Sequence, residues 1–376
     1  MRAGIKVKTI VPVIVLLIIA MFGMSLFNYF SQTGIMNSEA EKNLKSAVTF
    51  TESAYAEQLT VYLQMARLVA KMPTIAEAFA KGDRNRLIHE FLGGFEGIKK
   101  GFKITQFHFH KPPAVSFLRL AQPEKYGDDL SAFRHTVLAA NEKKTPIMGI
   151  EVGKAGIGLR SVEPIAYKGE HIGTVEFGGD MSHAINETKT IFGVEAGLLI
   201  AKKDYTVPFT EIKADIKPIG DYFLIYSTTP DLFLNALNPE NIARAKTAAA
   251  QKGIHIQDID YKGSNYHLAF SPLKDFSGKK IGYICAFKDK TALQSAIQRA
   301  LFVNLGIYGA ILVALALMIN LALQRVVNPI VALTESAGNI SMGKLSEKIE
   351  IKTNDEIEDL AKSMDRMRVS MKKLLE

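Results

Sequence analysis

The chain has 376 residues, of which 48% are hydrophobic, and a formal net charge of +8. Its basic residues are scattered among acidic ones instead of forming a patch with interleaved aromatics, which argues against nucleic-acid binding. The single cysteine, Cys285, excludes an intrachain disulfide, and its strand-like surroundings predict a buried thiol.

Two apolar stretches bracket the chain. No charged residue lies between Lys8 and Glu39, or between Arg299 and Arg325. Each gap accommodates the roughly 20 apolar residues needed to cross a bilayer, so we predict transmembrane helices at 10–30 and 300–323. A cleaved signal peptide is the alternative for the first stretch, but its apolar run is long and no clear cleavage site follows it.

The basic residues that flank these stretches predict the orientation. Arg2, Lys6 and Lys8 precede the first helix, and Arg325 follows the second. Because Lys and Arg concentrate on the cytoplasmic side, residues 1–9 and the tail are predicted to be cytoplasmic. We therefore expect a multi-pass protein of the bacterial cytoplasmic (inner) membrane, with residues of about 31–298 outside.

Residues 31–101 are predicted to be a long helical segment. Apolar residues recur there at spacings of three and four, a pattern typical of an amphipathic helix that extends to Pro73. They are Leu44, Val48, Thr51, Tyr55, Leu59, Tyr62, Ala66 and Val69. A helix of this length needs a packing partner, which we expect to be both the globular body and the same helix of a second chain.

From Phe102 the apolar period changes from the helical value towards two, which predicts a first sheet-containing subdomain at 102–181. Its predicted strands are 104–110, 114–120, 146–152, 158–167 and 171–178. A helix over 128–141, with Asp128 or Ser131 as its N-cap, is predicted to interrupt them.

The same order of elements recurs over 182–290, which predicts a second subdomain. Helices are predicted at 182–192 and 239–251, and strands at 195–202, 222–227, 255–261, 266–272 and 281–287. A helical connector at 291–299 then enters the second transmembrane helix without a Gly or Pro linker, which predicts a stiff link.

The tail, 324–376, has two heptad-patterned segments separated by a break at Gly343. The second is preceded by Thr353-Asn-Asp-Glu356, which has the pattern of a capping box. The apolar residues of each heptad pattern form a stripe, or seam, along one side of a short helix. Such seams are buried only against a second copy, so the tail predicts a parallel homodimer.

The tail resembles the HAMP domain, a signal-relay module of bacterial membrane receptors. The resemblance implies signal-relay roles for Pro329, Gly343, Leu345, Asp355, Glu356, Ile357, Met364 and Met367. Two departures are Glu358, where a Gly is common, and Asp365, where the family often has Asn. Neither departure lies on the apolar seam.

The region from about Ser31 to Lys290 resembles the double Cache family of extracytoplasmic sensor domains. Its motifs are the run from Phe107 to Arg119 and the stretches at 126–129, 133–135, 149–153, 158–160 and 175–178. The resemblance implies an α+β fold, with a long helix and two PAS-like antiparallel sheets between the transmembrane helices and a coiled-coil HAMP domain after them. It also implies a small-molecule pocket on one face of the first sheet, under the segment 122–144.

The polar residues expected near this pocket suit an anionic ligand. Side chains alternate along a strand, so His108 and His110 share one face of the first strand, opposite Phe107 and Phe109. Guanidinium groups form forked hydrogen bonds with carboxylates or phosphates, although an Arg beside a Glu is more often a structural cross-strand pair. The candidate ligand-binding residues are His108, His110, Ser116, Arg119, Arg134, His135, Glu151, Arg160 and Glu176.

No metal or other cofactor is expected. The pair His108 and His110 suits a divalent metal in principle, but no carboxylate or third imidazole lies at supporting spacing, although His135 could approach through the fold. No catalytic residue is expected either, because motifs for nucleophilic, phosphate-binding or zinc-protease chemistry are missing from the sequence.

These features together favour a dimeric transmembrane receptor that binds a small anionic metabolite and relays the signal through its tail. We expect the sensor part of a chemotaxis receptor; a sensor histidine kinase or cyclic-dinucleotide enzyme is the alternative. Because the sequence stops at Glu376 after the second tail helix, we expect a further output domain that contacts a chemotaxis kinase and adaptor, or a short protein that acts through a partner. Two rivals are a membrane-anchored periplasmic hydrolase using His108, His110 and Glu151, and a protein-binding scaffold.

Overall fold

The computed structural model describes residues 5–154, 156–206, 212 and 214–375. Arg2, which contributed to the predicted orientation, lies outside the described residues. The chain forms two compact units, one of Met36–Leu293 and one of Met1–Ile35 with Gln294–Glu376.

The first unit begins with three helices and a five-stranded sheet. The helices are α1 (Ile5–Ala70), of which Met36 onwards belongs to this unit, α2 (Pro73–Ala80) and α3 (Arg84–Phe102). The strands are β1 (Gln106–Lys111), β2 (Val115–Arg119), β3 (Ile147–Gly153), β4 (Gly156–Tyr167) and β5 (Glu170–Gly179), and α4 (His135–Lys143) lies between β2 and β3. The antiparallel strand order is β2-β1-β5-β4-β3.

One face of this first sheet packs on the long helix, as its apolar pattern predicted. All eight residues of the predicted α1 stripe are buried. All of them except Thr51 belong to one hydrophobic core with sheet residues of alternating positions, including Phe107, Phe109, Val175 and Phe177. The core also includes residues of α2 and α3, so these two helices add to the cover of the same face.

A second sheet follows in the same unit. Its elements are α5 (Ser182–Phe192), β6 (Glu195–Ala201), α6 (Lys202–Tyr205), β7 (Lys217–Ile219), β8 (Tyr222–Ser227), α7 (Pro230–Ala236), α8 (Pro239–Lys252), β9 (His255–Tyr261), β10 (Ser264–Lys274) and β11 (Lys280–Asp289). The strand order is β7-β8-β6-β11-β10-β9. Cys285 is buried in the core of this sheet, as expected. The short elements α6, β7 and α7 were not predicted.

The other unit contains two candidate membrane helices and the helical tail. Among the described residues, two helices are long and apolar enough to cross a membrane. Each has a mean hydropathy of 2.3 over its most apolar 18 residues. After α9 (Thr291–Ala322), a π-helical segment at Leu323–Val327 leads into α10 (Asn328–Ser341), and α11 (Glu356–Leu375) closes the chain.

Two predicted helix starts were wrong. Helix α4 begins at His135 rather than near 128, because Asp128 instead binds the guanidinium of Arg119 and Ser131 lies in a turn. Helix α11 begins at Glu356 rather than after a Thr353 cap. The side chain of Asp355 accepts from the Ile357 backbone N–H, and Glu358 accepts from the N–H groups of Thr353 and Asn354, so the capping interaction lies two residues later than predicted.

Candidate ligand-binding site

The second face of the first sheet is also buried, and it carries the polar residues. Helix α4 and the segment before it cover this face, where Ala114, Leu130, Phe133 and Val137 pack with Val162 of β4. Within the resulting enclosure lies a group of charged and polar side chains, which we call the polar cluster. Its members are His108, His110, Ser116, Arg134, Thr136, Glu151, Arg160, Thr174 and Glu176, and all are buried.

Arg134 is the centre of the polar cluster. It immediately precedes α4, and its Nε donates to Glu151 Oε2 at 3.0 Å while its Nη2 donates to Glu176 Oε2. Glu151 on β3 is further held by the backbone N–H of Thr136 at 2.7 Å and by the Thr136 hydroxyl at 2.8 Å. The start of α4 is therefore tied to two different strands through one guanidinium.

Arg160 on β4 is less completely bonded. Its Nε lies 3.7 Å from Glu176 Oε1, which is too long for a hydrogen bond. Its Nε and Nη1, together with Glu176 Oε1, are buried atoms without a hydrogen-bond partner. A Cβ at Gly178 would lie 2.7 Å from Arg160 Nη1, so the glycine leaves the space that this guanidinium occupies.

The two histidines of β1 lie beside Glu176, with ring centroids 4.0 Å apart. His108 pairs directly with Glu176 across the β1–β5 ladder, and its Nε2 lies 2.8 Å from Ser116 Oγ. His110 Nδ1 lies 3.2 Å from Thr174 Oγ1. His110 Nε2 is 3.5 Å from Glu176 Oε2 and has no hydrogen-bond partner.

Burial and neighbouring charges set the ionisation states. Burial lowers the pKa of His110 to about 3 against the opposing influence of Glu176, and it lowers the pKa of His108 well below its ordinary value. Burial tends to raise the pKa of Glu176, but Arg134, Arg160 and His110 outweigh it and lower that pKa. The formal charges of Arg134 and Arg160 balance those of Glu151 and Glu176, and the two imidazoles are neutral at neutral pH.

Two candidate residues lie outside the polar cluster. Arg119 makes a forked ion pair with Asp128, at 2.7 Å for each bond, and also donates to the carbonyl of Lys125 at 2.8 Å. It therefore anchors the segment after β2. His135 is exposed at the start of α4, and the carboxylate of Glu176 is the third group beside the histidine pair.

The structure brings a carboxylate to the histidine pair, which spacing along the sequence did not reveal. His108, His110 and Glu176 each offer one potential ligand atom, and these three atoms lie within 4.8 Å of one another. Thr136 and Thr174 were also missed as members of the cluster. Glu151, the carboxylate of the hydrolase hypothesis, bonds to Arg134 and Thr136.

The predicted relay residues lie at the joints of the tail helices. Pro329 is in the first turn of α10, Gly343 has a φ of +79° just after α10, and Asp355 caps α11. Leu345 is buried with Leu333, Ile340, Ile349 and Ala361. Glu356 and Ile357 open α11; Met364 is partly buried, and Met367 is 51% exposed.

The connection between α10 and α11 is also held by a buried arginine that the sequence analysis did not select. Arg368 donates from Nη1 to the carbonyl of Leu345 at 2.7 Å and from Nε to Asp365 at 2.7 Å. Asp365 in turn accepts from the backbone N–H of Ile349 at 3.0 Å. The Asp found where the family often has Asn is thus a structural part of this joint.

A long helix followed by two antiparallel sheets, each with its own helices, defines the chain as a double sensory protein with a helical tail. The family model of the double sensory domain of two-component sensor kinase matches residues 37–293, and that of the HAMP domain matches 321–373. The chain therefore belongs to the double Cache family and carries a HAMP domain, as its motifs indicated.

Solved sensor domains are similar to this chain at low sequence identity. The sensor domain of the Vibrio cholerae histidine kinase DctB is 12% identical, with a TM-score of 0.42, over 69% of this chain and 99% of that one. The sensory domain of the Campylobacter jejuni chemoreceptor Tlp3 with isoleucine bound is 11% identical, with a TM-score of 0.44, over 70% and 96%. A domain of a sensory box/GGDEF family protein from Vibrio parahaemolyticus is 14% identical, with a TM-score of 0.40, over 66% and 96%. No curated protein sequence matches the chain.

Proposed function

We propose that the chain is a transmembrane receptor that binds a small carboxylate-bearing metabolite at the polar cluster. The observation that carries the proposal is the set of buried, unpartnered atoms at Arg160, His110 and Glu176. An unsatisfied buried polar group costs about 1–3 kcal/mol, so the cluster is suited to a polar occupant. The unpartnered Nε and Nη1 groups of Arg160 are charged donors that suit the oxygens of an anionic occupant.

Orientation in the membrane follows from the apolar helices and their flanking charges. We place both ends of the chain in the cytoplasm and residues of about 31–298 outside the bacterial inner membrane. The polar cluster then lies on the side where external metabolites are encountered. The HAMP domain lies on the side where signalling partners act.

A chain of contacts leads from the polar cluster towards the second candidate membrane helix. Next to Glu151 on β3, the carbonyl of Ile150 accepts from the N–H of Phe276, which lies in the turn between β10 and β11, at 3.0 Å. Strand β11 ends at Asp289, and Lys290 is fixed by its backbone bond to Asn265. Helix α9 follows at once, so a shift of β3 has a covalent and hydrogen-bonded route to it.

Signalling requires only that the ligand bind one arrangement better than another. A coupling free energy of about 1–3 kcal/mol is sufficient for this. The exposed seam residues of the tail support a homodimeric HAMP domain, whose helix packing changes with occupancy. We propose the sensor part of a chemotaxis receptor, acting on a chemotaxis kinase and adaptor, with a sensor histidine kinase or cyclic-dinucleotide enzyme as the alternative output.

A thermal-shift screen of the purified full chain against small mono-, di- and hydroxycarboxylates tests the binding site. A ligand at 100 times its Kd stabilises by about 2.7 kcal/mol, which raises the melting temperature measurably. Arg160→Lys keeps the charge beside Glu176 but removes the fork, and we expect it to abolish the rise. The matched control, Arg244→Lys, changes an exposed arginine of α8 and should retain the rise. An equal rise in the wild type and Arg160→Lys contradicts the proposed site.

A further inference from the structure

We propose that His108, His110 and Glu176 form a binding site for a divalent transition metal of the zinc class. The site lies in the same polar cluster as the proposed ligand site. It does not depend on the proposed function, because metal binding is measurable without any organic ligand. Two imidazoles and one carboxylate with open positions are a ligand set used by zinc and by non-haem iron(II).

The backbone brings the three ligands together. His108 and His110 are two residues apart on β1 and so point to the same face, while Glu176 lies opposite His108 on β5. One donor atom from each lies within 4.8 Å of the others. Metal–ligand bonds of about 2.0–2.2 Å require donor atoms roughly 3–4 Å apart, so small side-chain rotations complete the site.

All three ligand residues are buried, which limits competition from solvent.

Each ligand residue is also oriented by a neighbour. Thr174 engages Nδ1 of His110 and leaves Nε2 free, and Ser116 engages Nε2 of His108. Arg134 binds Oε2 of Glu176 and leaves Oε1 without a hydrogen bond. Such partners fix the orientation of ligands in metal sites, and their loss typically weakens metal affinity by about 10–100-fold.

The neighbouring arginines define what accompanies the metal. The formal charges of the cluster balance, so a divalent cation alone adds two positive charges close to Arg134 and Arg160. An anion that bridges the metal and Arg160 offsets them. The metal thus converts a neutral enclosure into an anion-selective one, which is consistent with a carboxylate ligand.

Metal binding by the purified full chain tests this proposal. After treatment with EDTA and its removal, the chain is incubated with ZnCl₂ or CoCl₂ and desalted, and bound metal is counted by mass spectrometry. We expect about one ion per chain, and a visible absorption band for the cobalt form. Wild-type protein that retains less than about a tenth of an ion per chain in both preparations overturns the proposal.

Variants locate the ion. Glu176→Gln and His110→Gln should lose it, and Thr174→Val, which removes only the hydroxyl that holds His110, should weaken binding by about 10–100-fold. The control His183→Ala removes an exposed histidine that pairs with Glu187 at 3.1 Å on α5, and it should leave the stoichiometry unchanged. Loss of the ion in His183→Ala but not in Thr174→Val and His110→Gln assigns it to the surface and overturns the proposal. Carboxylate binding that persists in EDTA, in a chain that takes up no metal, refutes the metal site and leaves the proposed function standing.

Discussion

At the scale of single residues, the sequence predicted which side chains share a face but not which ones meet. Alternation along β1 was enough to separate His108 and His110 from the phenylalanines. That Glu176 lies opposite His108 depends on strand register between segments 68 residues apart in the numbering, which no local pattern encodes. The ion pair between Arg119 and Asp128 was likewise not predicted from the sequence.

The hydroxyl of Thr136 provides a direct test of the polar cluster's contribution to stability. Thr136→Val keeps the shape of the side chain but leaves the buried Glu151 with one donor fewer. We expect the free energy of unfolding to fall by about 1–3 kcal/mol, measured by urea unfolding followed by circular dichroism. Thr190→Val, at an exposed threonine of α5, is the control and should change it by less than about 0.5 kcal/mol. Equal effects at the two sites would contradict this role.

The carboxylate of Glu195 is expected to contribute to the loss of stability at acid pH. Partial burial favours a higher pKa, but hydrogen bonds from Thr228, Thr229 and Lys189 outweigh it and lower the pKa of Glu195. A lowered folded-state pKa stabilises the protein above the unfolded-state pKa, and this contribution is lost as pH falls through the folded-state value. We therefore expect the melting temperature of Glu195→Gln to fall less between pH 7 and pH 4 than that of the wild type. A parallel decline in both proteins would show that Glu195 contributes nothing.

At the scale of elements, strong periodicity predicted most helices and strands of both sheets, including α5, β8 and β9 at their observed bounds. Helix starts were less predictable, because a capping side chain is available to several partners. Asp128 binds Arg119 instead of capping α4, and Asp355 caps α11 in place of Thr353. The contact between the β10–β11 turn and β3 joins distant segments and was also not predictable from local sequence.

Gly149 tests that contact. A Cβ at this position would lie 2.6 Å from the Cα of Phe276, so Gly149→Ala has to displace the β10–β11 turn from β3. We expect a destabilisation of about 1–3 kcal/mol, measured by urea unfolding. Gly169→Ala is the matched control, because Gly169 also has a positive φ, of +85°, but a Cβ there meets nothing within 4 Å. An unchanged free energy of unfolding in Gly149→Ala would show that the β10–β11 turn and β3 separate at no cost.

At the scale of the whole molecule, span length predicted a folded domain between two membrane helices, and resemblance to the double Cache and HAMP families predicted a receptor; the double sensory and HAMP domains are now established. Seam residues of the tail are exposed in the single chain: Leu360 by 52%, Met367 by 51% and Leu374 by 84%. Burial of such a seam requires a partner, which supports a parallel homodimer.

Cysteine cross-linking tests the dimer. The only native cysteine, Cys285, is buried, so an introduced thiol reports on its own position. We expect Leu360→Cys to form disulfide-linked dimers when isolated membranes are oxidised, at least about tenfold faster than Asp359→Cys on the exposed side of α11. Equal rates at the two positions would argue against a paired seam at this site.

We propose that the sensory domain lies outside the membrane and the HAMP domain inside. Thiol labelling of intact cells with a membrane-impermeant maleimide tests it most directly, using Glu90→Cys on α3 and Leu374→Cys on α11, both at exposed positions. With this topology, we expect Glu90→Cys to be labelled in intact cells and Leu374→Cys to be labelled only after permeabilisation. Labelling of both positions in intact cells, or of Leu374→Cys alone, would contradict it.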